Sequence, residues 1–288
     1  MVWQEKNTVS LRQEFVVLAQ QDGANISASK PNCSTSRGNA SSTRSAALWQ
    51  IDFKGHFPTL DGPCHALTLP DDHSRFNLVL HAGIRTSTEC VQPLLARVFQ
   101  RYGLPVRINA DNGPPWGSPS GAGHSLSELA IWLIRLGVRV SFSAPYHPQT
   151  NGKIERFHRS LKDEVLAGRH FVDHAGVQRA FDTWRDVYNC VRPHEALGMS
   201  RPAQRYQPSV LSYPSKLRAI EYASTDTVIT VGWNGFIRFR GYKLRTSTAL
   251  HRLPIAIRAN PEHEDFYDLY FCHQRFMTFD LQQPTAHT

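Results

Sequence analysis

No stretch of this 288-residue chain is apolar for long enough to cross a bilayer as a helix, so no membrane span is expected. Cysteine is scarce and scattered: Cys33, Cys64, Cys90, Cys190 and Cys272 form no CxxC pair. That argues against a disulfide framework and a cysteine zinc site, and for a reducing, cytoplasmic setting. The histidines show no metal-finger spacing. The opening MVWQEKNTVS lacks the charged-then-apolar layout of a secretory signal.

Acids are nearly missing from one region. Between Arg201 and Arg258, only Glu221 and Asp226 oppose Arg201, Arg205, Lys216, Arg218, Arg238, Arg240, Lys243, Arg245, Arg252 and Arg258. Ten minus two equals the +8 net charge of the whole chain. The excess calls for a polyanionic partner, either nucleic acid or an anionic membrane surface, and its concentration toward the C-terminus suits a backbone-binding surface.

With 41% hydrophobic residues, most of the chain should fold. A short helix is expected after Ser10, with Gln13 completing a capping box and Gly23 ending it. Residues 24–46 are rich in Ser, Asn, Thr, Ala and Gly, and read as a disordered linker. Trp49, Ile51 and Phe53 then alternate with Gln50, Asp52 and Lys54, a strand pattern. CHALTLPDD and RFNLVLHA read as the next two strands, joined by a side-chain-bonded turn of Asp71, Asp72, Ser74 and Arg75. A helix over 88–102 stops at Gly103 and Pro105. VRINADNG is a fourth strand. Ser125 and Glu128 form a capping box before the helix LSELAIWLIRL, and VRVSFSAP is a fifth strand. The loop YHPQTNG leads into a helix with Glu155 in its first turn, and another helix covers 172–188. Three strands in succession, followed by helix and strand in alternation, require a mixed five-stranded α/β sheet flanked by helices. From about Tyr222 short strands follow, with Asn234-Gly235 as a hairpin signal, and predict a small all-β barrel.

Three acids stand apart from this packing pattern. Asp52 interrupts an apolar strand, Asp111 ends another, and Glu155 opens a helix. If the first and fourth strands pair in parallel, the aspartates lie side by side. Three converging carboxylates need a cation, and oxygen donors alone select Mg²⁺ or Mn²⁺, with two ions serving in-line phosphoryl transfer. Arg159 and Lys162 share the side of Glu155, while Ile154, Phe157, Leu161 and Val165 take the buried side. Lys153, Arg159, Lys162, Arg238, Arg240 and Lys243 are candidate DNA contacts, as are His147, Gln149 and Asn151 in the loop and Trp233 in the barrel. Trp116 reads as a cover for the core edge.

WQIDFKG, NADNGPPWGS, YHPQTNGKIERFHRSLKDE and YNCVRPHEALGMSRPAQRY together resemble bacterial insertion-sequence DDE transposases, whose core is similar to retroviral integrase. The resemblance implies an RNase H-like fold over residues 47–210 and an SH3-like DNA-binding module over 211–288. It also implies metal ligands at Asp52, Asp111 and Glu155. Mg²⁺-dependent cleavage at element ends, 3′-hydroxyl attack on target DNA, and a homo-multimer on that DNA follow from the same family, without a small-molecule cofactor. The spacing from Asp111 to Glu155 exceeds the family's commonest, the extra length lying in GSPSGAGH. Residues 1–23 resemble the start of a helix-turn-helix region whose recognition helix does not follow, so the chain reads as an internally shortened or frame-disrupted copy. Two other readings stand beside the transposase: a catalytically silent DNA-binding remnant that inhibits full-length transposase, and a plain metal-dependent nuclease. The basic C-terminal third predicts that DNA affinity, followed by fluorescence anisotropy in a salt titration, falls steeply as salt rises.

Overall fold

The computed structural model describes residues 47–118, 125–143 and 148–282. The expected helix after Ser10, the linker 24–46 and His147 lie outside these residues. The described chain divides into two compact units. One comprises Phe53–Ile84 and Pro148–Gln207, and the other the remaining residues from 47–52, 85–143 and 208–282. No helix among the described residues is long and apolar enough to cross a membrane.

The first unit is built on an antiparallel sheet in the order β2 (Asp52–Thr59), β3 (Gly62–Pro70), β4 (Asn77–Gly83). Cys64, Ala66 and Ala82 are small and buried on it. The space they leave receives the rings of two helices, α3 (Pro148–Leu161) and α4 (His174–Cys190). Phe157 of α3 meets Trp184 at 5.3 Å and Tyr188 at 5.0 Å between centroids, both edge-on. Val177, Phe181, Trp184 and Tyr188 repeat at helical spacing and are all buried, as expected. Asp173 caps α4 by accepting the Gly176 N–H at 2.6 Å. After Leu161 the chain makes a π-helical turn, Lys162–Leu166, that aims Glu164 inward. Its carboxylate accepts the Trp184 Nε1–H at 2.8 Å and pairs with Arg192 at 2.8 Å.

Helix α4 also seals the free edge of β4. Gln178 accepts the Ala82 N–H at 2.9 Å and donates to the Leu80 carbonyl at 3.0 Å. Asn189 does the same for Asn77 at 2.8 and 3.0 Å, and Arg185 donates to the Leu78 carbonyl at 3.2 Å. The backbone groups that an edge strand normally shows to solvent are thereby satisfied by side chains.

The second unit holds a parallel sheet in the order β1 (Leu48–Gln50), β5 (Arg107–Ala110), β8 (Arg139–Phe142). Helices α1 (Thr88–Tyr102) and α2 (Glu128–Arg135) belong to this unit. Phe99 of α1 stacks on Trp49 at 6.1 Å and on Trp132 of α2 at 5.7 Å. A two-residue pair, β6 (Gly117–Ser118) with β7 (Ser125–Leu126), precedes α2. The expected cap at Ser125 is therefore corrected: Ser125 belongs to β7, and Ser127 caps α2 by accepting the Ala130 N–H at 3.1 Å. Trp116 is buried, as expected of a core cover.

All five expected core strands are present, but the first is divided at Ile51. Its start pairs in one three-stranded sheet and its continuation lies in another, so the single five-stranded sheet is replaced by two of three. The organisation is mixed α/β. After the short helix α5 (Pro202–Arg205) the regular elements among the described residues are strands and one 3-10 turn, Thr248–Leu250. Strands β14 (Gln274–Asp280), β13 (Phe266–Phe271), β12 (Pro254–Ala259) and β9 (Thr227–Thr230) form an antiparallel sheet, and β10 (Phe236–Phe239) pairs with β11 (Tyr242–Arg245). Among the described residues these pairings do not close into one barrel ladder. Nor is this β-module a free-standing body. Gln274 accepts the Val140 N–H at 2.8 Å and donates to its carbonyl at 2.6 Å, capping β8 at that residue, and Ser247 donates to the Leu126 carbonyl at 2.6 Å. The hairpin expected at Asn234-Gly235 forms instead at Arg240-Gly241, both at positive φ (46° and 87°), as a tight two-residue hairpin demands.

Two glycines of this unit give a matched test. Gly103 ends α1 at φ 77°, ψ 179°, a region essentially reserved for glycine, and a Cβ there would meet the Ser209 and Leu211 carbonyl oxygens at 2.7 and 2.8 Å. Gly137 has φ 88° with open space around it. In urea denaturation of the whole chain, Gly137→Ala should cost about 1 kcal/mol and Gly103→Ala about 3 kcal/mol. Equal costs would mean that the 209–211 segment does not pack over the end of α1.

Candidate active site

The parallel pairing on which the acidic site depends is present. Leu48, Trp49 and Gln50 stand opposite Arg107, Ile108 and Asn109, and the Ile51 N–H continues the ladder to the Asn109 carbonyl at 2.9 Å. Asp52 and Asp111 each follow the last pair by two residues, so both leave the ladder at the same end. The turn carrying Asp111 is tied down from β8. Asn109 Nδ2 donates to Ser143 Oγ at 3.0 Å, Asn112 Nδ2 to the Ser143 carbonyl at 3.0 Å, and Ser141 Oγ to Asn109 Oδ1 at 3.0 Å. Asp111 accepts the Gly113 N–H at 3.2 Å. The residue is exposed by surface area, yet the protein packed around it raises its carboxyl above the usual aspartate range, and the Gly113 N–H offsets only part of that. The sequence reading missed this clamp of four polar residues, which joins segments too far apart in the chain to leave a local signal.

Glu155 lies in the other unit, on α3. Its expected place in the first helical turn is corrected: α3 begins at Pro148, so Glu155 sits about two turns in, beyond effective reach of the helix dipole. Gln149 and Asn151 consequently belong to the helix and not to a loop. The sidedness is as expected. Ile154, Phe157, Leu161 and Val165 are buried, whereas Glu155, Arg159 and Lys162 are exposed. Lys153 pairs with Asp72 at 2.6 Å. Asp72 belongs to the turn after β3, in which Asp71 accepts the Ser74 N–H at 2.8 Å and the Ser74 hydroxyl at 2.5 Å. Arg75 adopts φ 63° and pairs with Asp72 at 3.6 Å, so this turn is structural, as expected.

His158 is a second omission of the sequence reading. It is buried in α3 and hydrogen-bonded to Thr68 Oγ1 of β3 at 2.8 Å. Burial, and then the nearby Lys54 charge, lower its pKa to about 4. The neutral imidazole thus pins the helix carrying Glu155 to β3 near its C-terminal end. Lys54 itself follows Asp52 by two residues on β2 and shares its strand face.

On the β-module, Arg238, Arg240 and Lys243 are exposed. Arg238 stands opposite Lys243, while Arg240 lies over the Tyr267 ring at 4.8 Å. Among the described residues, no group of three or more His, Cys, Asp or Glu is gathered closely enough to hold a metal ion.

An integrase core domain model matches residues 42–148, and a second integrase core domain model matches residues 136–202. A Gag-Pol polyprotein of feline leukemia virus is 30% identical over 122 residues, which is 42% of this chain and 7% of that protein. An uncharacterized 39.2 kDa protein of insertion element IS476 from Xanthomonas euvesicatoria is 28% identical over 156 residues, 54% of this chain and 43% of that protein. The chain spans less than half the length of these relatives. Among solved structures, the HTLV-2 integrase catalytic core domain in complex with magnesium aligns with 58% of this chain and 100% of its own, at 15% identity and a TM-score of 0.43. A simian T-cell lymphotropic virus intasome chain aligns with 87% of this chain and 85% of its own, also at 15% and 0.43.

Residues 42–202 therefore carry an integrase core domain. Over this region the chain is similar both to retroviral polyproteins and to an insertion-element protein.

The buried histidine gives the site a testable pH dependence. His158 binds its proton less readily folded than unfolded, so its contribution is complete above the unfolded pKa of 6.5 and is lost as pH falls toward 4. The loss should reach about 3 kcal/mol across that window. In urea titrations, His158→Gln should flatten this slope. An unchanged slope would assign the acid sensitivity elsewhere.

Proposed function

We propose that the protein cuts and joins DNA strands in transposition or integration, by Mg²⁺-dependent phosphoryl transfer at element ends followed by 3′-hydroxyl attack on target DNA. The observation that carries this reading is the parallel β1–β5 pairing, from which Asp52 and Asp111 emerge at one end. With Glu155 they offer carboxylate oxygens alone, the donor set for Mg²⁺ or Mn²⁺ and not for zinc. The raised carboxyl pKa of Asp111 fits an acid whose charge awaits a compensating cation. Asp52, Asp111 and Glu155 would hold two ions, which when bound activate the attacking oxygen and stabilise the leaving one.

The remaining roles belong to the chain's cations. Arg159 and Lys162 line the exposed side of α3 with Glu155 and would hold a DNA phosphate beside it. Lys153 would exchange Asp72 for a phosphate. His158 positions α3 and touches no reacting atom. Arg238, Arg240 and Lys243 would grip the backbone through a C-terminal module working as the SH3-like domain of integrase-type proteins. A multimer of this chain on paired ends, acting on DNA in the bacterial cytoplasm and nucleoid, completes the reading.

A second reading is a DNA-binding remnant without catalysis that inhibits full-length transposase. The two part in one assay with purified protein, labelled element-end DNA and Mg²⁺. Catalysis gives nicked and joined products that vanish with chelator, return with Mn²⁺, and fall about a hundredfold or more in Asp52→Asn while DNA binding persists. Shifted DNA without any cut supports the remnant. Cleavage without preference for ends and without joined product indicates a plain nuclease.

A further inference from the structure

The β-module carries a side chain that the proposed chemistry does not use. Trp233 is 79% exposed, although an indole is among the most expensive side chains to leave in water. It is held in a tight turn, in which the Gly235 N–H donates to the Gly232 carbonyl at 3.0 Å and the Gly232 N–H to the Phe236 carbonyl at 2.9 Å. Gly235, at φ 78°, sits so close to the backbone of Ser247 and Thr248 that a Cβ would meet both at 2.7 Å. The indole is thus exposed on a fixed base.

That turn runs directly into β10. The β10–β11 register pairs Phe236 with Arg245 and Arg238 with Lys243, with the buried Ile237–Leu244 pair between them. Alternation therefore puts Arg238, Lys243 and Arg245 on one exposed face. Among the described residues none of the three forms an ion pair. Like charges set directly across a ladder cost stability. The same module neutralises a cation where it serves the fold: Arg258 makes two 2.8 Å bonds to Asp226 and lies 4.3 Å over the Tyr270 ring. Three cations without an acidic partner among the described residues, Lys243 lying 4.3 Å over the Phe236 ring, on the strands that follow one exposed indole fit a polyanion that also offers flat apolar rings.

Resting on the DNA reading above, we propose that Trp233 is a stacking platform for unpaired DNA bases, with Arg238, Lys243 and Arg245 holding the adjoining phosphates. Every base has a π-face that an indole accepts without sequence preference, and in an intact duplex those faces are already occupied by neighbouring bases. The module thereby selects DNA with single-stranded bases, such as an overhang or gap, over blunt duplex.

The test uses the full chain and two fluorescent probes, a blunt duplex and the same duplex with a short single-stranded overhang, read by anisotropy at one salt concentration. The wild-type protein should bind the overhang more tightly. Trp233→Ala should weaken overhang binding about tenfold and leave the blunt duplex within about twofold, while Trp233→Phe keeps most of the preference. Arg238→Ala and Lys243→Ala should weaken both probes. If Trp233→Ala weakens both probes equally or neither, while the charge variants still weaken both, the stacking role fails and the DNA reading survives. If neither probe binds, both fail. If Trp233→Ala instead dissolves a multimer in sedimentation and the overhang preference is unchanged, the indole is a protein contact and the proposal is overturned.

Discussion

Parallel pairing between β1 and β5 is the constraint on which the proposed chemistry of this chain depends. Strands in parallel register advance together, so residues equally far past the last pair leave the sheet at one end. That alone links two aspartates separated by a long stretch of sequence. The Asn109, Asn112, Ser141 and Ser143 hydrogen bonds then hold the Asp111 turn from β8. A loose turn would let the second carboxylate wander; a clamped one fixes the direction in which it emerges.

Helix α3 meets a different demand with one amphipathic sequence. Its apolar side enters the ring cluster of Trp184 and Tyr188, and its polar side keeps Glu155, Arg159 and Lys162 in water. Apolar packing tolerates small rotations of a helix about its axis. The directional bond from His158 to Thr68 does not, and it sets the rotation that decides where Glu155 points.

Much of the fold was legible because the chain states its periods clearly. The alternation of Trp49, Ile51 and Phe53 marked a strand, the helix predicted over 88–102 formed as Thr88–Tyr102, and the spacing of Val177, Phe181, Trp184 and Tyr188 marked a buried face. The misses share one cause: local signals were outbid by neighbours. YHPQTNG reads as a loop, yet Pro148 starts a helix, at a position where proline's missing N–H costs nothing. Ser125 has a capping pattern, but strand pairing claims it. Asn234-Gly235 has hairpin chemistry, but the paired strands lie one turn further on. Of the candidate site, the acids and the exposed cations of α3 could be named from sequence. The His158–Thr68 bond and the asparagine–serine clamp could not, because each joins distant segments and leaves no periodic trace.

The sealed strands have a consequence for assembly. Gln178, Arg185 and Asn189 occupy the outer backbone groups of β4, and Gln274 does the same for Val140 in β8. At these positions the main-chain groups are not free to bond an extended segment from another polypeptide. Copies of this chain, or foreign partners, must then recognise it at these borders by the shape and charge of side chains, a code that sequence drift can rewrite without touching the sheets beneath.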